Sequence, residues 1–161
     1  MQQKSRLTFP LLLAAVLSLM ACNQEPFFPV EPKIEFVSIS PTEVKSGVDS
    51  ILITFRFQDG DGDLGSDGTP NLHLIDSRVD LGLPIERATN PYVLPDLTPD
   101  ARNPSIQGEI TIKMDFTVVL PPASEQDVRF QIKLWDRAGN LATPIDGTEG
   151  PIYTDYIKVV R

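Results

Sequence analysis

The sequence predicts an all-β domain, built as an immunoglobulin-like antiparallel β-sandwich of about seven strands. Three observations lead to this fold class. Apolar and polar residues alternate along several short stretches, Gly, Pro, Asn and Asp separate these stretches, and no window after residue 22 carries an apolar stripe with a helical period. Strands that are apolar on one face and polar on the other are typical of two antiparallel sheets packed on a common core.

The alternation defines the strands in chain order. Asp49–Gln58 is the clearest example, because Ile51 and Phe55 fall on one face while Arg56 falls on the other. The parity of the last predicted strand is ambiguous. The predicted strands are Lys33–Ser40, Asp49–Gln58, Asn71–Asp76, Glu109–Val119, Asp127–Trp135 and Ile152–Val160.

The segment 77–106 is too long for a simple turn and is rich in proline. We predict a connection that contains one short edge strand near Asp80–Arg87, because proline is tolerated in a sheet only at its edge. Connections of this length are usually functional or disordered.

The first 21 residues have the layout of a secretory signal. Lys4 and Arg6 precede an apolar run from Leu7 to Leu19. This run is about a dozen residues long, which is too short to span a bilayer that needs ~20. We therefore predict a signal peptide over 1–21, a flexible Pro-rich tether over 22–32 and the β-sandwich domain over 33–161.

The residues around the predicted cleavage point, Leu19-Met20-Ala21-Cys22, resemble the lipobox of bacterial lipoproteins. The resemblance implies cleavage before Cys22, acylation of that residue and attachment to a membrane by lipid. Asn23 is not the aspartate that retains some lipoproteins at the inner membrane, so the resemblance implies the outer membrane and leaves the facing side open. The alternative is an ordinary signal peptide with a chance cysteine.

Composition narrows the classes of partner. The chain has 161 residues and a formal net charge of −8, and removal of the basic signal makes the remainder more acidic. This acidity argues against binding to nucleic acid and is compatible with divalent cations. Cys22 is the only cysteine, so no internal disulfide can form, and bound metal is a candidate for holding the loops.

An acidic loop, Asp59-Gly60-Asp61-Gly62-Asp63-Leu64-Gly65, follows the second predicted strand. Carboxylates at alternate positions repel one another, and a hard cation such as Ca²⁺, which takes 6–8 oxygen ligands, removes that penalty. The loop begins like an EF-hand loop and then departs from it. Leu64 stands where that loop requires glycine, and Pro70 stands where it requires glutamate.

A second loop, from Trp135 to Asn140, follows a later strand. In a seven-stranded sandwich this loop and the acidic loop lie at the same end. We therefore expect a Ca²⁺ site between them; the alternative is an Asp/Gly-rich turn whose carboxylates are merely solvated. The candidate ligands are Asp59, Asp61, Asp63, Asp67, Asp136 and Asn140.

The sequence resembles a group of uncharacterised bacterial lipoproteins in four places: the acidic loop, the loop from Trp135 to Asn140, and the stretches Tyr92–Leu97 and Gly108–Ile112. The stretch Asp-Arg-Ala-Gly-Asn also resembles bacterial immunoglobulin-like and cadherin-like repeats, in which such loops are often near calcium. The resemblance implies the sandwich fold and the lipid anchor, and it implies no activity.

Catalytic signatures are absent from the sequence. His73 is the only histidine and points away from the core by parity, so zinc-hydrolase patterns are excluded. No G-x-S-x-G elbow and no phosphate-binding glycine loop occur. A hydrolase that uses paired carboxylates stays as a less favoured alternative, and we expect a protein that is not an enzyme.

Trp135 is the one candidate ligand contact outside the acidic cluster. Strand parity points it outward, where it would stack on a sugar or a partner, whereas burial under the segment 77–106 or an inward bulge would make it structural. We expect a lipid-anchored, non-catalytic protein of the cell envelope with a Ca²⁺-stabilised domain and a structural or binding role. The alternative is an accessory lipoprotein that binds glycans or nutrients, and an envelope protein or a glycan is the expected partner.

Overall fold

The computed structural model describes residues 28–98, 105–115 and 117–161. The predicted signal peptide, Cys22 and most of the predicted tether lie outside the described residues. Regular structure within the described ranges is almost entirely strand, which confirms the all-β, sandwich-like class. None of the helices in these ranges has the length and apolar character needed to cross a membrane.

Eleven strands and two short helices make up the described part of the chain. The helices are a 3₁₀ helix at Ser77–Leu81 and α1 at Ile85–Ala88. The strands are β1 Lys33–Ser40, β2 Glu43–Lys45, β3 Ile51–Asp59, β4 Leu72–Asp76, β5 Thr89–Tyr92, β6 Ile106–Met114, β7 Glu125–Val128, β8 Phe130–Leu134, β9 Thr143–Pro144, β10 Ile152–Tyr153 and β11 Ile157–Val160.

These strands form three hydrogen-bonded sheets, with the orders β6-β3-β1-β9, β10-β8-β4-β5 and β2-β11-β7. The long strands pair antiparallel, as predicted. Two short strands do not: β9 runs parallel to β1, and β2 runs parallel to β11. The sheets are therefore mixed at their margins, and the strand count exceeds seven because several strands are only two to four residues long.

The core forms where the apolar faces of these sheets meet. In β3, Ile51, Ile53 and Phe55 are fully buried while Leu52 and Arg56 are exposed, which is the alternation that the sequence predicts. The matching inward face of β8 and β4 contributes the other half of the core. The largest fully buried side chains are Phe55, Phe130, Ile34, Ile51, Ile53, Leu64, Leu72, Leu74, Leu134, Ile157, Val44 and Val128.

The predicted edge strand near Asp80–Arg87 is wrong. The chain forms the 3₁₀ helix and α1 there, and the edge strand is β5, a few residues later. Asp76 caps the 3₁₀ helix by accepting a hydrogen bond from the Arg78 amide at 2.9 Å, and Gly82 ends it with a φ of 94°. Helix-capping and turn residues thus outweigh the weak alternation in this stretch.

Two predicted strands each divide into two. Asp127–Trp135 becomes β7 and β8, and Ile152–Val160 becomes β10 and β11, because the chain changes sheets at the break in each case. Thr154 lies between β10 and β11 and binds the backbone of Phe130, at the start of β8. Its hydroxyl accepts a hydrogen bond from the Phe130 amide, and its amide donates one to the Phe130 carbonyl. Apolar periodicity continues across such a break, so it gives no sign of the change of partner. Phe116, within the predicted strand Glu109–Val119, lies outside the described residues.

A buried ion pair joins several elements at one end of the domain. Arg78 and Asp76 are only 3% and 4% exposed, and the guanidinium binds both carboxylate oxygens. The remaining guanidinium hydrogen bonds reach Thr117, the Val118 carbonyl and Gln126. Thr117 and Val118 follow the last residue of β6, Met114, which pairs with Ile51 at the start of β3. The acidic loop follows the other end of β3, so the ion pair and the acidic loop lie at opposite ends of the domain.

Candidate metal centre

The acidic loop and the loop after β8 meet at one end of the domain, which we call the carboxylate pole. The Arg137 amide donates to the Asp63 carbonyl at 3.3 Å, and the Ala138 amide donates to Asp63 Oδ2 at 3.0 Å. Leu64 forms a β-bridge with Asp136. The sequence-based expectation that these two loops lie together is therefore confirmed.

Leu64 explains why the loop departs from an EF-hand. Its side chain is fully buried in the core, so this position anchors the acidic loop to the sandwich instead of providing a glycine turn. The Leu64 amide donates to Asp59 Oδ2 at 2.9 Å. The same residue thus packs the loop inward and orients the first carboxylate.

Three carboxylates converge at this pole. Asp59, Asp61 and Asp63 each place one oxygen within 4.8 Å of the others. Asp59 is fully buried, Asp63 is half-buried and Asp61 is exposed, so the cluster runs from the core to the surface. This spread allows an ion from solvent to reach oxygens that the protein has already positioned.

Asp59 and Asp63 share a bonding pattern. In each, Oδ2 accepts a backbone N–H, whereas Oδ1 is buried and has no hydrogen-bond partner in the described part of the chain. A buried carboxylate oxygen without a partner is costly, because it loses its water and gains nothing in return. A cation that binds both Oδ1 atoms would offset that cost.

Electrostatics at the cluster follow from burial and proximity. Burial, together with the charges of Asp61 and Asp63, raises the pKa of Asp59 from 3.8 to about 6, and the hydrogen bond from the Leu64 amide acts in the opposite direction. Burial also raises the pKa of Asp63, together with the charges of Asp136 and Asp61. The metal-free site therefore favours binding of any positive charge, whether a proton or a metal ion.

The remaining predicted ligands occupy different positions. Both oxygens of Asp136 accept from Asn140, one from its amide at 2.7 Å and one from its Nδ2 at 2.8 Å, so these two residues close the second loop on itself. Asp136 acts on the cluster through its charge beside Asp63. Asp67 is exposed and is not part of the carboxylate cluster.

Neighbouring segments hold the acidic loop in shape. The Gly62 carbonyl accepts from the Thr98 hydroxyl at 2.6 Å, and the Gly60 carbonyl accepts from the Ser105 hydroxyl at 3.1 Å. Arg137 forms an ion pair with Asp96 at 3.2 Å. Residues of the connection between β5 and β6 therefore support the acidic loop, and the sequence pattern does not reveal this contact.

The end of the predicted tether also packs here. A Cβ atom added at Gly60 would lie 2.2 Å from the Phe28 carbonyl oxygen and 2.5 Å from that of Pro29, so only glycine allows this close approach. Pro32 is buried, and its carbonyl accepts from the Thr143 amide at 3.1 Å. The residues from 28 onward thus lie against the domain beside the acidic loop.

Trp135 continues the outward alternation of β8 and is half-buried. Its ring meets the ring of His73 edge to face, with centroids 5.1 Å apart. Asn71 holds the local backbone: its carbonyl accepts from the Trp135 amide, and its Nδ2 donates to the Trp135 carbonyl. Trp135 is therefore partly covered by His73 on the outer face of the sheet and does not turn into the core.

Comparisons with known proteins add little to this picture. No protein-family model matches the sequence, and no curated protein matches it. One solved structure, described as "X-ray structure of Northeast Structural Genomics Consortium target SoR45", is 11% identical over 83% of this chain and 86% of that chain, with a TM-score of 0.25. The class of protein therefore follows from fold and site: an all-β domain with a carboxylate cluster that could hold a metal ion.

Proposed function

We propose that this protein is a lipid-anchored, non-catalytic component of the bacterial cell envelope whose carboxylate pole binds Ca²⁺. In this proposal the ion joins the acidic loop to its neighbours and makes one end of the domain rigid. The rigid end then supports a structural or binding role at the membrane.

One observation carries the calcium proposal. Asp59 is fully buried, its Oδ1 has no hydrogen-bond partner among the described residues, and one oxygen of its carboxylate lies within 4.8 Å of oxygens of Asp61 and Asp63. An Asp/Gly-rich turn with solvated acids would leave these oxygens in water. Three carboxylates supply half or fewer of the 6–8 oxygens that Ca²⁺ takes, and water on the exposed Asp61 side would complete the shell.

The spacing of the carboxylates supports a binding role over hydrolysis. Glycosidases separate their two carboxyl groups by ~5–5.5 Å or by ~6.5–9.5 Å, to leave room for a sugar or for a water. Here three carboxylates, and not two, each bring one oxygen within 4.8 Å of the others, and a shared cation explains such a cluster better than a pair of acids that flank a sugar. The raised pKa of Asp59 follows from this same crowding and burial.

The anchor proposal rests on the sequence around Cys22 and fits the position of residue 28. Five residues separate Cys22 from Phe28, and an extended chain covers at most ~3.6 Å per residue. Since residues 28 and 29 lie against Gly60, lipid on Cys22 would keep the carboxylate pole close to the membrane surface.

Calorimetric titration of the full chain, purified in detergent and stripped with EDTA, tests the calcium proposal. We expect saturable Ca²⁺ binding and weaker binding of Mg²⁺, which demands a stricter octahedral geometry. Asp59→Asn should abolish the heat, because it removes the charge of the buried ligand. Asp67→Asn is the matched control in the same loop and should bind like the parent. Absence of binding at millimolar Ca²⁺ would refute the proposal.

A further inference from the structure

A second surface of the domain carries features that the metal centre does not explain. It is the outer face of the sheet β10-β8-β4-β5, and we call it the aromatic–basic face. Its defining residues are Arg129, Lys133, Trp135, His73, Tyr153 and Tyr156.

The strand register places these side chains on one surface, except for Tyr156, which follows β10 and reaches this surface through its contact with Arg129. Residues 130, 132 and 134 of β8 are buried, so the residues between and beside them point outward. Tyr153 pairs with Gln131, and His73 pairs with Lys133, and directly opposed residues share a face. At ~3.3 Å per residue, the row from Arg129 to Trp135 is about 20 Å long.

Aromatic rings stand at both ends of this row. At one end Trp135 meets His73 edge to face. At the other end the Arg129 guanidinium carbon lies 4.0 Å from the ring centre of Tyr153 and 5.0 Å from that of Tyr156. Tyr156 is 56% exposed, so its ring is available to a ligand.

The charge of this face is opposite to that of the chain. The chain has a net charge of −8, yet the paired outward positions of the four strands include no Asp or Glu. Arg129 and Lys133 form no ion pair in the described part of the chain, whereas Arg56, Arg78 and Lys158 do. Arg129 Nε is buried and lacks a hydrogen-bond partner there.

We propose that the aromatic–basic face binds an acidic polysaccharide. Carboxylates of the polymer pair with Arg129 and Lys133, and Arg129 is preorganised because two tyrosine rings hold its planar group in place. The apolar faces of the sugar rings pack on Trp135 and Tyr156. A row of about 20 Å on a flat sheet suits a linear polymer better than a single small molecule.

This inference does not depend on calcium. The two sites use different residues, although Trp135 directly precedes Asp136 of the metal centre. Polysaccharide binding measured in EDTA therefore tests the aromatic–basic face alone. A negative result there would leave the calcium proposal intact, and a failure of calcium binding would leave the polysaccharide proposal intact.

Affinity electrophoresis of the full chain, in detergent and EDTA, tests the inference with polygalacturonate, neutral dextran and poly-glutamate. We expect retention by polygalacturonate that weakens as salt rises, and none by dextran. Arg129→Gln and Trp135→Ala should each weaken binding about tenfold, the loss expected for one charged hydrogen bond or one stacked ring.

Two further variants keep the result interpretable. Lys133→Gln changes an outward side chain that forms no ion pair in the described part of the chain, and an unchanged urea midpoint would show that its weaker binding does not come from unfolding. Lys113→Gln, on the other long sheet, is the control and should bind like the parent. Three results would each overturn the inference. The first is equal retention by dextran, and the second is equal retention by poly-glutamate with the same dependence on the variants. The third is no retention by polygalacturonate at low salt.

Discussion

At the scale of single residues, the carboxylate pole is defined by the unequal hydrogen bonding of the two carboxylate oxygens of Asp59 and of Asp63. One oxygen of each is fixed by a backbone N–H from Leu64 or Ala138, and the other is left buried without a partner. A backbone hydrogen bond of this kind orients a ligand for a metal, as outer contacts commonly do. The metal-free arrangement is correspondingly unfavourable.

The first prediction concerns Asp59→Asn in the metal-free protein. Asparagine keeps an oxygen for the Leu64 amide and removes the buried charge, so the metal-free variant should be more stable than the parent at pH 7. A pKa raised from 3.8 to about 6 corresponds to roughly 3 kcal/mol. Urea unfolding in EDTA measures the gain, and a variant less stable than the parent would refute the account. The same variant should show no rise in melting temperature with Ca²⁺.

The second prediction is a pH dependence. Because folding raises the pKa of Asp59, the folded protein holds the proton more tightly than the unfolded chain does. This stabilisation is complete below about pH 4 and is lost as the pH rises through about 6. The difference in unfolding free energy between the parent and Asp59→Asn, measured in EDTA from pH 4 to 7, isolates the effect from other carboxyl groups. A difference that stays constant over this range would contradict it.

At the scale of elements, a buried arginine joins the 3₁₀ helix to β4, β7 and the strand end after β6. Each of the three guanidinium nitrogens of Arg78 donates a hydrogen bond within the domain. The side chains of Arg78 and Asp76 are both almost fully buried. Arg56 on β3 provides a comparison for the effect of burial, because it forms ion pairs with Glu35 and Glu109 at the solvent-exposed surface.

The third prediction compares these two arginines. Arg78→Met leaves the Asp76 carboxylate buried without its counter-charge, and we expect a loss of about 3–5 kcal/mol. Arg56→Met removes an exposed pair and should cost ~0–1 kcal/mol. Urea unfolding of both variants measures the contrast. Equal small losses would show that water reaches Asp76.

The fourth prediction concerns the contact between the tether and the acidic loop. Gly60→Ala places a methyl group against the carbonyls of Phe28 and Pro29, so the segment before β1 should detach from the loop. Limited proteolysis should then cut this segment faster than in the parent. Asp67→Ala, at an exposed position of the same connection between β3 and β4, is the control and should leave this cleavage unchanged.

At the scale of the whole molecule, the described residues before β1 and the carboxylate pole lie at the same end of the domain. The tether enters beside Gly60, and the buried Arg78 ion pair closes the other end. Binding of Ca²⁺ at the first end would stabilise the fold without changing the second, since ligand binding to the native state adds stability by mass action.

The fifth prediction tests the anchor in cells. Cys22→Ser removes the proposed site of acylation, so the protein should move from the membrane fraction to the soluble fraction of the envelope, whereas Ser18→Ala within the apolar run should leave it in the membrane. Fractionation followed by immunoblotting measures this. Protease treatment of intact cells that carry the parent then shows which side of the membrane the domain faces. Retention of Cys22→Ser in the membrane would contradict lipid attachment through this residue.

Strand periodicity allowed much of the fold to be predicted. β1 matches its predicted bounds, and β3 and β4 differ from theirs by one or two residues. The match is clearest in β3, where buried residues alternate with exposed or half-buried ones. Periodicity failed in 77–106, where capping by Asp76 and Gly82 decides the structure. It also failed to separate β7 from β8, because a strand that changes sheets keeps its inward and outward faces.

The candidate site was only partly accessible to sequence reasoning. Spacing identified Asp59, Asp61 and Asp63, since alternate acids separated by glycine converge in any tight loop. Asp67 stands outside this alternation, four residues after Asp63, and the structure leaves it outside the cluster. The charge pattern of the aromatic–basic face was likewise hidden, because its residues come from distant strands and become neighbours only through strand pairing.

The sequence by itself determined the all-β class, the faces of the long strands, the acidic loop and the lipobox-like start, because each depends on residues close together in the chain. Only the tertiary structure decided which strands pair and which carboxylate oxygens lose their water. It also decided where Arg78 and Arg129 lie and how the end of the tether packs on Gly60. These features depend on contacts between distant segments, and burial, which sets the energies of charged groups, exists only once those segments have packed.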